Sequence, residues 1–444
     1  MTTLTPAFDL NAIEELAQKV DLNKLVNLAN QLDANTLQAM LKNATKETQP
    51  QPAPPINSDF YDIYSTLTDE QLRVAKLTRD FFEGEIRPII NPYWERGEFP
   101  KHIIPRFAEY AKDRYGEEFE FVFPEEDPIA AGVAAMEMAR GEPSSNTFFG
   151  VHWYLSMASI YMFGSDEQKA KLLPPMKRFE KIGSWALTEP KHGSDASAGL
   201  ETTATKDGDT WILNGEKKWS GNASFADINI IWARNTHTGQ VNGFIVELGQ
   251  PGYHVEKLPG KIAKRAVENV LIKLENVEVH DSNRLPKANH FGDVARQLAA
   301  ARTGVAWEAV GVAMGAYEET LKYTNNRIQF GKPLTSFQMV QHGLVKMLGH
   351  VTAMQGMMLQ LARIQARDGK ISHERASLAK AWTTEQMREV VAIGRGLLGG
   401  NGILLEHEVA RFFADAEAVY SYEGTYEMNT LIVGKAITGQ SAFV

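Results

Sequence analysis

Apolar and polar positions repeat with different periods in different parts of the chain. Over residues 9–43, Leu10, Ile13, Leu16, Ala17 and Val20 share one helical face, and Leu37, Met40 and Leu41 share another. Two short amphipathic helices are predicted, the second capped by Asp33 or Asn35. The polar, Pro-rich run TKETQPQPAPPINSD follows and reads as a linker. Residues 1–56 are therefore expected to form an appendage, either a tethered extension or a docking or self-association hairpin.

From 59 to about 180 the spacing is helical. TDEQLRVAKLTRDFFEGEI carries a capping Thr68, and GSDEQKAKLLPPM opens on Ser165 with acids in its first turn. Between about 183 and 280 the period falls to two. LETTATKDGDTWILNG reads as a hairpin around Asp207-Gly208, and DINIIWAR, VNGFIVEL, YHVEKL and VLIKLENVEV follow at short intervals. That pattern predicts a small all-β barrel or sandwich. From about 291 two long helical patterns follow one another, then further segments at 372–396 and roughly 406–440, together a bundle. Methionines in the second long helix read as core filling. The expected class is mainly α with a central β domain. Its parts are the extension (1–56), an N-terminal helical domain (57–182), the β domain (183–290) and a C-terminal four-helix bundle (291–444).

Composition narrows the chemistry. At 43% hydrophobic and 23% charged the chain is ordinary globular protein, long enough to bury a large core. A net charge of −9 without a basic run argues against nucleic acid as partner. There is no cysteine, which excludes disulfides, thiolate metal sites and a Cys nucleophile. The 11 histidines form neither H-x-H nor H-E-x-x-H, and no metal is assigned. No apolar run reaches the roughly 18 residues of a membrane span. The first residues lack a signal-like pattern and the terminal SAFV carries no address, so a cytoplasmic location is expected.

EVVAIGRGLLG places Gly394, Gly396 and Gly399 in a G-x-G-x-x-G pattern, with Asp415 and Glu417 some distance on. A dinucleotide fingerprint must open a βαβ unit, with further parallel strands after it. The preceding residues are helical in spacing and too little chain follows, so the nicotinamide reading fails. A different cluster of acids lies near the end of the chain. VYSYEGTYEMNT contains Glu423 and Glu427, just beyond Asp415 and Glu417, and spacing alone does not choose between the four.

The order helical, β, helical carries five phrases: ALTEPKHGSDAS (186–197), NGEKKWSGNASFAD (214–227), NRIQFGKPLTSFQ (326–338), LLGGNGI (397–403) and YEGTYEMNTLIVGKAITG (422–439). Together they resemble the acyl-CoA dehydrogenase and acyl-CoA oxidase superfamily, most of all its glutaryl-CoA dehydrogenase and plant short-chain acyl-CoA oxidase branch. The resemblance covers about 59–444. It implies an FAD enzyme that converts an acyl-CoA thioester to the trans-2-enoyl-CoA, a base taking the α-proton while the β-hydrogen leaves as hydride to flavin N5.

By the same resemblance Glu423 is the base, in an apolar slot where desolvation raises its pKa. Trp185, Leu187, Thr188, Gly193 and Ser194 form the flavin-binding strand and loop, Ser194 also reaching substrate. Trp219 walls the flavin, beside Gly221. Arg327, Phe330, Gln338, Leu398, Gly399 and Gly400 contact the FAD of a neighbouring subunit, which implies a homotetramer built as a dimer of dimers. Tyr422 and Gly424 flank the substrate. Arg302 matches a position near the CoA phosphates, although the acid that often accompanies it is Ala299 here. Thr425 matches an FAD contact. Glu427 is grouped with it, as a solvated or structural acid one helical turn beyond Glu423.

Two departures from the family pattern bear on specificity. The Arg and Ser that hold a distal carboxylate in glutaryl-CoA dehydrogenases align with Asn146 and Gly150, which implies an unsubstituted acyl chain. Where dehydrogenases read Trp-x-Thr/Ser, this chain has Trp219-Ser220-Gly221, and strict strand alternation turns Ser220 to the opposite face. Gly221 would leave space at the flavin edge. The electron acceptor is then either an electron-transfer flavoprotein or O2.

Overall fold

Helices arise where an apolar three-four spacing meets a cap. In the computed structural model, which describes residues 55–443, Thr68 starts α1 (Asp69–Phe81) through a reciprocal capping box with Gln71. Ser165 starts α7 (Asp166–Lys177) in the same way with Gln168. Between them run α2 (Ile90–Arg96), α3 (Ile104–Tyr115), α4 (Pro128–Gly141), α5 (Pro143–Gly150) and α6 (Ala158–Phe163). Their core is a cluster of rings, among them Phe82, Phe107, Phe148, Phe149, Trp153 and Phe179. The two helices expected within 9–43 and most of the linker lie outside the described residues.

The period-two region folds as one mixed sheet of seven strands, in the order β1-β4-β2-β3-β7-β6, with β5 also paired to β4. Its strands are β1 (Gly183–Ala186), β2 (Thr203–Asp207), β3 (Thr210–Ser220), β4 (Ile228–Asn235), β5 (Val241–Glu247), β6 (Tyr253–Lys257) and β7 (Val270–His280). The hairpin at Asp207-Gly208 is present, with Asp207 opposite Thr210. One four-residue helix, α8 (Ala196–Gly199), interrupts the loop after β1. Strand β4 is apolar along most of its length because both of its faces are covered.

Among the described residues five α-helices follow: α9 (Phe291–Asn326), α10 (Gln338–Asp368), α11 (His373–Leu397), α12 (Val409–Ser421) and α13 (Tyr426–Thr438). α9 and α4 cross so closely that a Cβ at Gly311 would overlap the Met136 carbonyl. The Gly394-Gly396 pair lies inside α11 with no strand before it, so the pattern opens no βαβ unit, and of its three glycines only Gly394 packs against another helix. A Cβ at Gly394 would press on the Thr320 hydroxyl of α9. Among the described residues no helix is long and apolar enough to cross a membrane.

The structure corrects one sequence expectation here. The segment at 406–440 is two helices, α12 and α13, separated by Tyr422–Thr425. Glu423 (φ 55°) and Gly424 (φ 87°) adopt left-handed backbone, which no continuing helix accommodates.

Candidate active site

The interruption between α12 and α13 carries Glu423. A non-glycine residue in left-handed backbone costs on the order of 1–2 kcal/mol and persists only where its surroundings hold it. Here the carbonyls of Tyr420, Glu423 and Gly424 each meet a side-chain donor. Arg302 Nε donates to the Glu423 carbonyl at 3.1 Å. Lys380 Nζ donates to the carbonyls of Tyr420 at 2.6 Å and Gly424 at 2.8 Å. Asn429 Nδ2 donates to the Gly424 carbonyl at 2.9 Å. Thr425 caps α13 by accepting from the Met428 N–H. At Gly424 the left-handed φ and the Asn429 amide, 3.1 Å from a would-be Cβ, leave glycine as the fitting residue.

Glu423 keeps a little solvent contact as a residue, yet its Oε2 is sealed from water and meets no hydrogen-bond donor among the described residues. Burial is the main cause that pushes its carboxyl up to about 7. Arg302 and Lys380 pull against that rise, and Glu308 adds to it. Arg302 is itself buried, its guanidinium also donating to His373 Nε2. Next to Glu423, the Tyr422 hydroxyl donates to Glu308 Oε2 at 2.5 Å. Glu308 pairs with Lys264 Nζ at 2.5 Å.

The other acids separate by environment. Asp415 is buried and accepts from Trp94 Nε1 at 2.9 Å, the Lys264 N–H at 2.5 Å and Ser144 at 3.2 Å. It joins α2, α5, α12 and the β6–β7 loop. Glu417 pairs with Arg388 at the surface. Glu427 is exposed in the first turn of α13, where its own N–H and the Thr425 hydroxyl hold its carboxyl below the usual range. The sequence-based placement of Glu427 one helical turn from Glu423 fails, because the helix begins only after Glu423.

A second group lines the end of β1 and the loop beyond it. Trp185 is half-buried, its indole N–H donating to Ser159 Oγ at 3.1 Å. Leu187 is buried and Thr188 half-buried; Gly193 and Ser194 are exposed in the loop. A buried ion pair sets this loop. Lys217 Nζ on β3 donates to Glu189 at 2.8 Å and to the Leu187 carbonyl at 3.0 Å. Glu189 in turn accepts from the N–H groups of Glu201 and Thr202. The Lys218 N–H meets the Thr188 carbonyl at 2.8 Å.

At the end of β3, simple alternation does not hold. The register with β7 slips between Lys218 and Ser220, and Trp219 has φ 72°. This bulge turns Trp219 outward, 53% exposed, and buries Ser220, whose hydroxyl finds no partner among the described residues. Gly221 is buried too. A Cβ there would touch Val151 Cγ2 at 3.3 Å and Val267 Cγ1 at 3.5 Å, so two valine side chains bound the space beside it.

The third group lies on the surface between helices. Arg327 and Phe330 are exposed in the α9–α10 turn and Gln338 at the first position of α10, and Gly399 and Gly400 are exposed just past α11, next to buried Leu398. Arg327 and Asn401 line one cleft, where Asn401 Nδ2 donates to the Tyr323 hydroxyl at 2.9 Å. Asn146 and Gly150 are half-buried on α5, and neither supplies a positive charge. Lys380, Glu308 and His373 around Glu423 went unnoticed in the sequence. A visible signal existed only for Lys380, a lysine on a helical face otherwise made of Ala376, Ala379, Thr383 and Thr384.

Comparison with known proteins agrees with this layout. Profiles of the acyl-CoA dehydrogenase N-terminal, middle and C-terminal domains match residues 68–180, 184–277 and 291–438. The chain is 32% identical over 381 residues to a 3-(aryl)acrylate reductase of Clostridium sporogenes, covering 82% of this chain and 98% of that one. It is 30% identical to the short-chain specific acyl-CoA dehydrogenase of Megasphaera elsdenii, covering 84% and 98%. A glutaryl-CoA dehydrogenase of Mycobacterium smegmatis, solved in complex with FADH2, superposes with a TM-score of 0.81 at 32% identity, covering 86% and 98%. The chain belongs to the acyl-CoA dehydrogenase family, whose members are FAD-dependent oxidoreductases.

Proposed function

We propose that the chain catalyses α,β-dehydrogenation of a saturated acyl-CoA thioester to the trans-2-enoyl-CoA, with Glu423 taking the α-proton. The observation that carries this reading is the state of Glu423: a carboxyl with one oxygen sealed and unpartnered, held at about 7 by burial, in a backbone conformation fixed from three sides. A base working near neutral pH needs that balance. A solvated structural acid such as Glu427 lacks it.

The chain's residues fit FAD. Trp219 offers an exposed aromatic face, the buried Ser220 hydroxyl has an unused hydrogen-bonding capacity, and the loop of Thr188, Gly193 and Ser194 is braced beneath by the Lys217–Glu189 pair. When bound, FAD supplies the two-electron oxidant that accepts the β-hydrogen. The protein's own part is to orient the thioester through the Tyr422–Gly424 turn, to offer the Glu423 N–H to its carbonyl oxygen, and to take the proton on the Glu423 carboxylate. Arg302, buried behind the turn, keeps that carboxylate accessible to ionisation.

In this reading Arg327, Phe330, Gln338 and Leu398–Gly400 complete a neighbouring subunit's cofactor site in a homotetramer. Its support is Phe330, an aromatic left 92% exposed at a surface turn. Asn146 and Gly150 favour an unsubstituted acyl chain, since neither would neutralise a distal carboxylate. The test is anaerobic titration of the yellow protein with straight-chain acyl-CoA thioesters and with glutaryl-CoA. Bleaching by the former and not by the latter is expected. Failure of every chain length to bleach it would defeat the reading.

The acceptor is proposed to be an electron-transfer flavoprotein. The oxidase reading keeps one supporting observation, Gly221 in place of a side chain that could carry a hydroxyl. Fast peroxide formation on admitting air to the reduced protein would decide for it.

A further inference from the structure

Lys380 lies about two turns into α11 with no solvent-exposed surface. Taking an ammonium out of water costs several kcal/mol unless partners replace the water. Among the described residues it forms no ion pair. Its Nζ is spent instead on the Tyr420 and Gly424 carbonyls, at 2.6 and 2.8 Å. The first carbonyl belongs to the last turn of α12; the second immediately follows Glu423. One cation therefore ties together the two sides of the turn that presents the base. A residue needed only to satisfy the end of α12 would require neither the charge nor the reach to Gly424. The charged groups acting on Lys380 are Glu423, Glu427 and Glu308, which favour its charge, and Arg302, which opposes it. Burial dominates and brings its ammonium down to about 8.

We infer that Lys380 is a positioning residue for proton abstraction: its ammonium clamps the carbonyls on either side of Glu423, holds that residue in left-handed backbone and supplies buried positive charge against which the carboxyl ionises. The inference rests on the reading of Glu423 as the base. Arg302 acts on the carbonyl of Glu423 itself, and Lys380 on its neighbours, so the two cations fix different parts of one turn.

Two substitutions test it beside Glu423→Gln. Lys380→Met removes the charge and both donors. Lys380→Gln removes the charge but keeps a donor for one carbonyl. Each is purified with its flavin, and the rate of anaerobic bleaching at saturating acyl-CoA is followed against pH. A misplaced base costs on the order of 100-fold, so Lys380→Met is expected to lose roughly that much in limiting rate, with a smaller change in KM. Lys380→Gln is expected to fall between it and the unmodified chain. In both, the acid limb of the rate is expected to move about one pH unit upward, because a cation favouring the carboxylate is gone. An acid limb that stays in place in both variants overturns the inference, whatever the rates, since a purely structural lysine would leave the ionisation of Glu423 alone. If Lys380→Met does not retain flavin, the acid limb of Lys380→Gln decides in the same way. Normal turnover in Glu423→Gln would instead overturn the assignment of the base.

Discussion

Replacing Glu423 by Gln probes the candidate base in two independent ways. The side chains have nearly the same shape, and the amide resembles the protonated carboxyl. With the base gone, the reduction of the protein by acyl-CoA should slow by roughly 10²–10⁴-fold while the flavin stays bound. The second effect is on stability. The carboxyl sits at about 7 in the folded chain against an ordinary 4.5. Between those values the folded state holds a proton that the unfolded state has released. Stability from this group is therefore full below 4.5, declines as pH rises through 7 and stays low above it. That gap, at about 1.4 kcal/mol per pH unit, corresponds to about 3 kcal/mol as an upper value, reduced by the residue's remaining water contact. Glutamine escapes this loss. Thermal unfolding of both proteins should coincide near pH 5, and the variant should melt higher by a few degrees near pH 8. Parallel melting curves across that range would show that the carboxyl is not desolvated, and the case for Glu423 as a base near neutrality would fall with them.

Three further outcomes follow from the same geometry. Arg302→Gln removes a cation that holds the Glu423 carboxyl down, so the acid limb of the limiting rate should move to higher pH, read from a pH–rate profile. Lys217→Met leaves Glu189 buried without its cation and should destabilise the β1 loop by about 3–5 kcal/mol, seen as loss of bound flavin and a lower melting temperature. Gly311→Ala drives a methyl into the Met136 carbonyl and should cost at least about 1–3 kcal/mol, measured by denaturant unfolding.

Much of the fold was legible because its signals are local. Thr68 and Ser165 cap helices through partners three residues away, and the Asp207-Gly208 hairpin pairs residues that are neighbours in sequence. The break at Tyr422–Thr425 was missed for the opposite reason. Apolar spacing continues through 406–440, and although Gly424, Thr425 and Asn429 are local parts of the turn, the cations that hold its carbonyls, Arg302 and Lys380, lie more than 40 residues away. The Trp219 bulge was hidden in the same way, since alternation along β3 gives no hint of a register slip set by pairing with β7.

By itself the sequence determined where helices begin, where the period changes from 3.6 to two, and which five phrases tie the chain to its family. Those properties live in residues close along the chain. Only the tertiary structure decided which acid is desolvated. Asp415, Glu417, Glu423 and Glu427 are chemically alike and nearly adjacent, yet one is spent on buried donors, two face solvent, and one has an oxygen in a sealed space with two cations nearby. Burial and distant charge set that difference, and both come from α9 and α11 meeting the turn across the bundle.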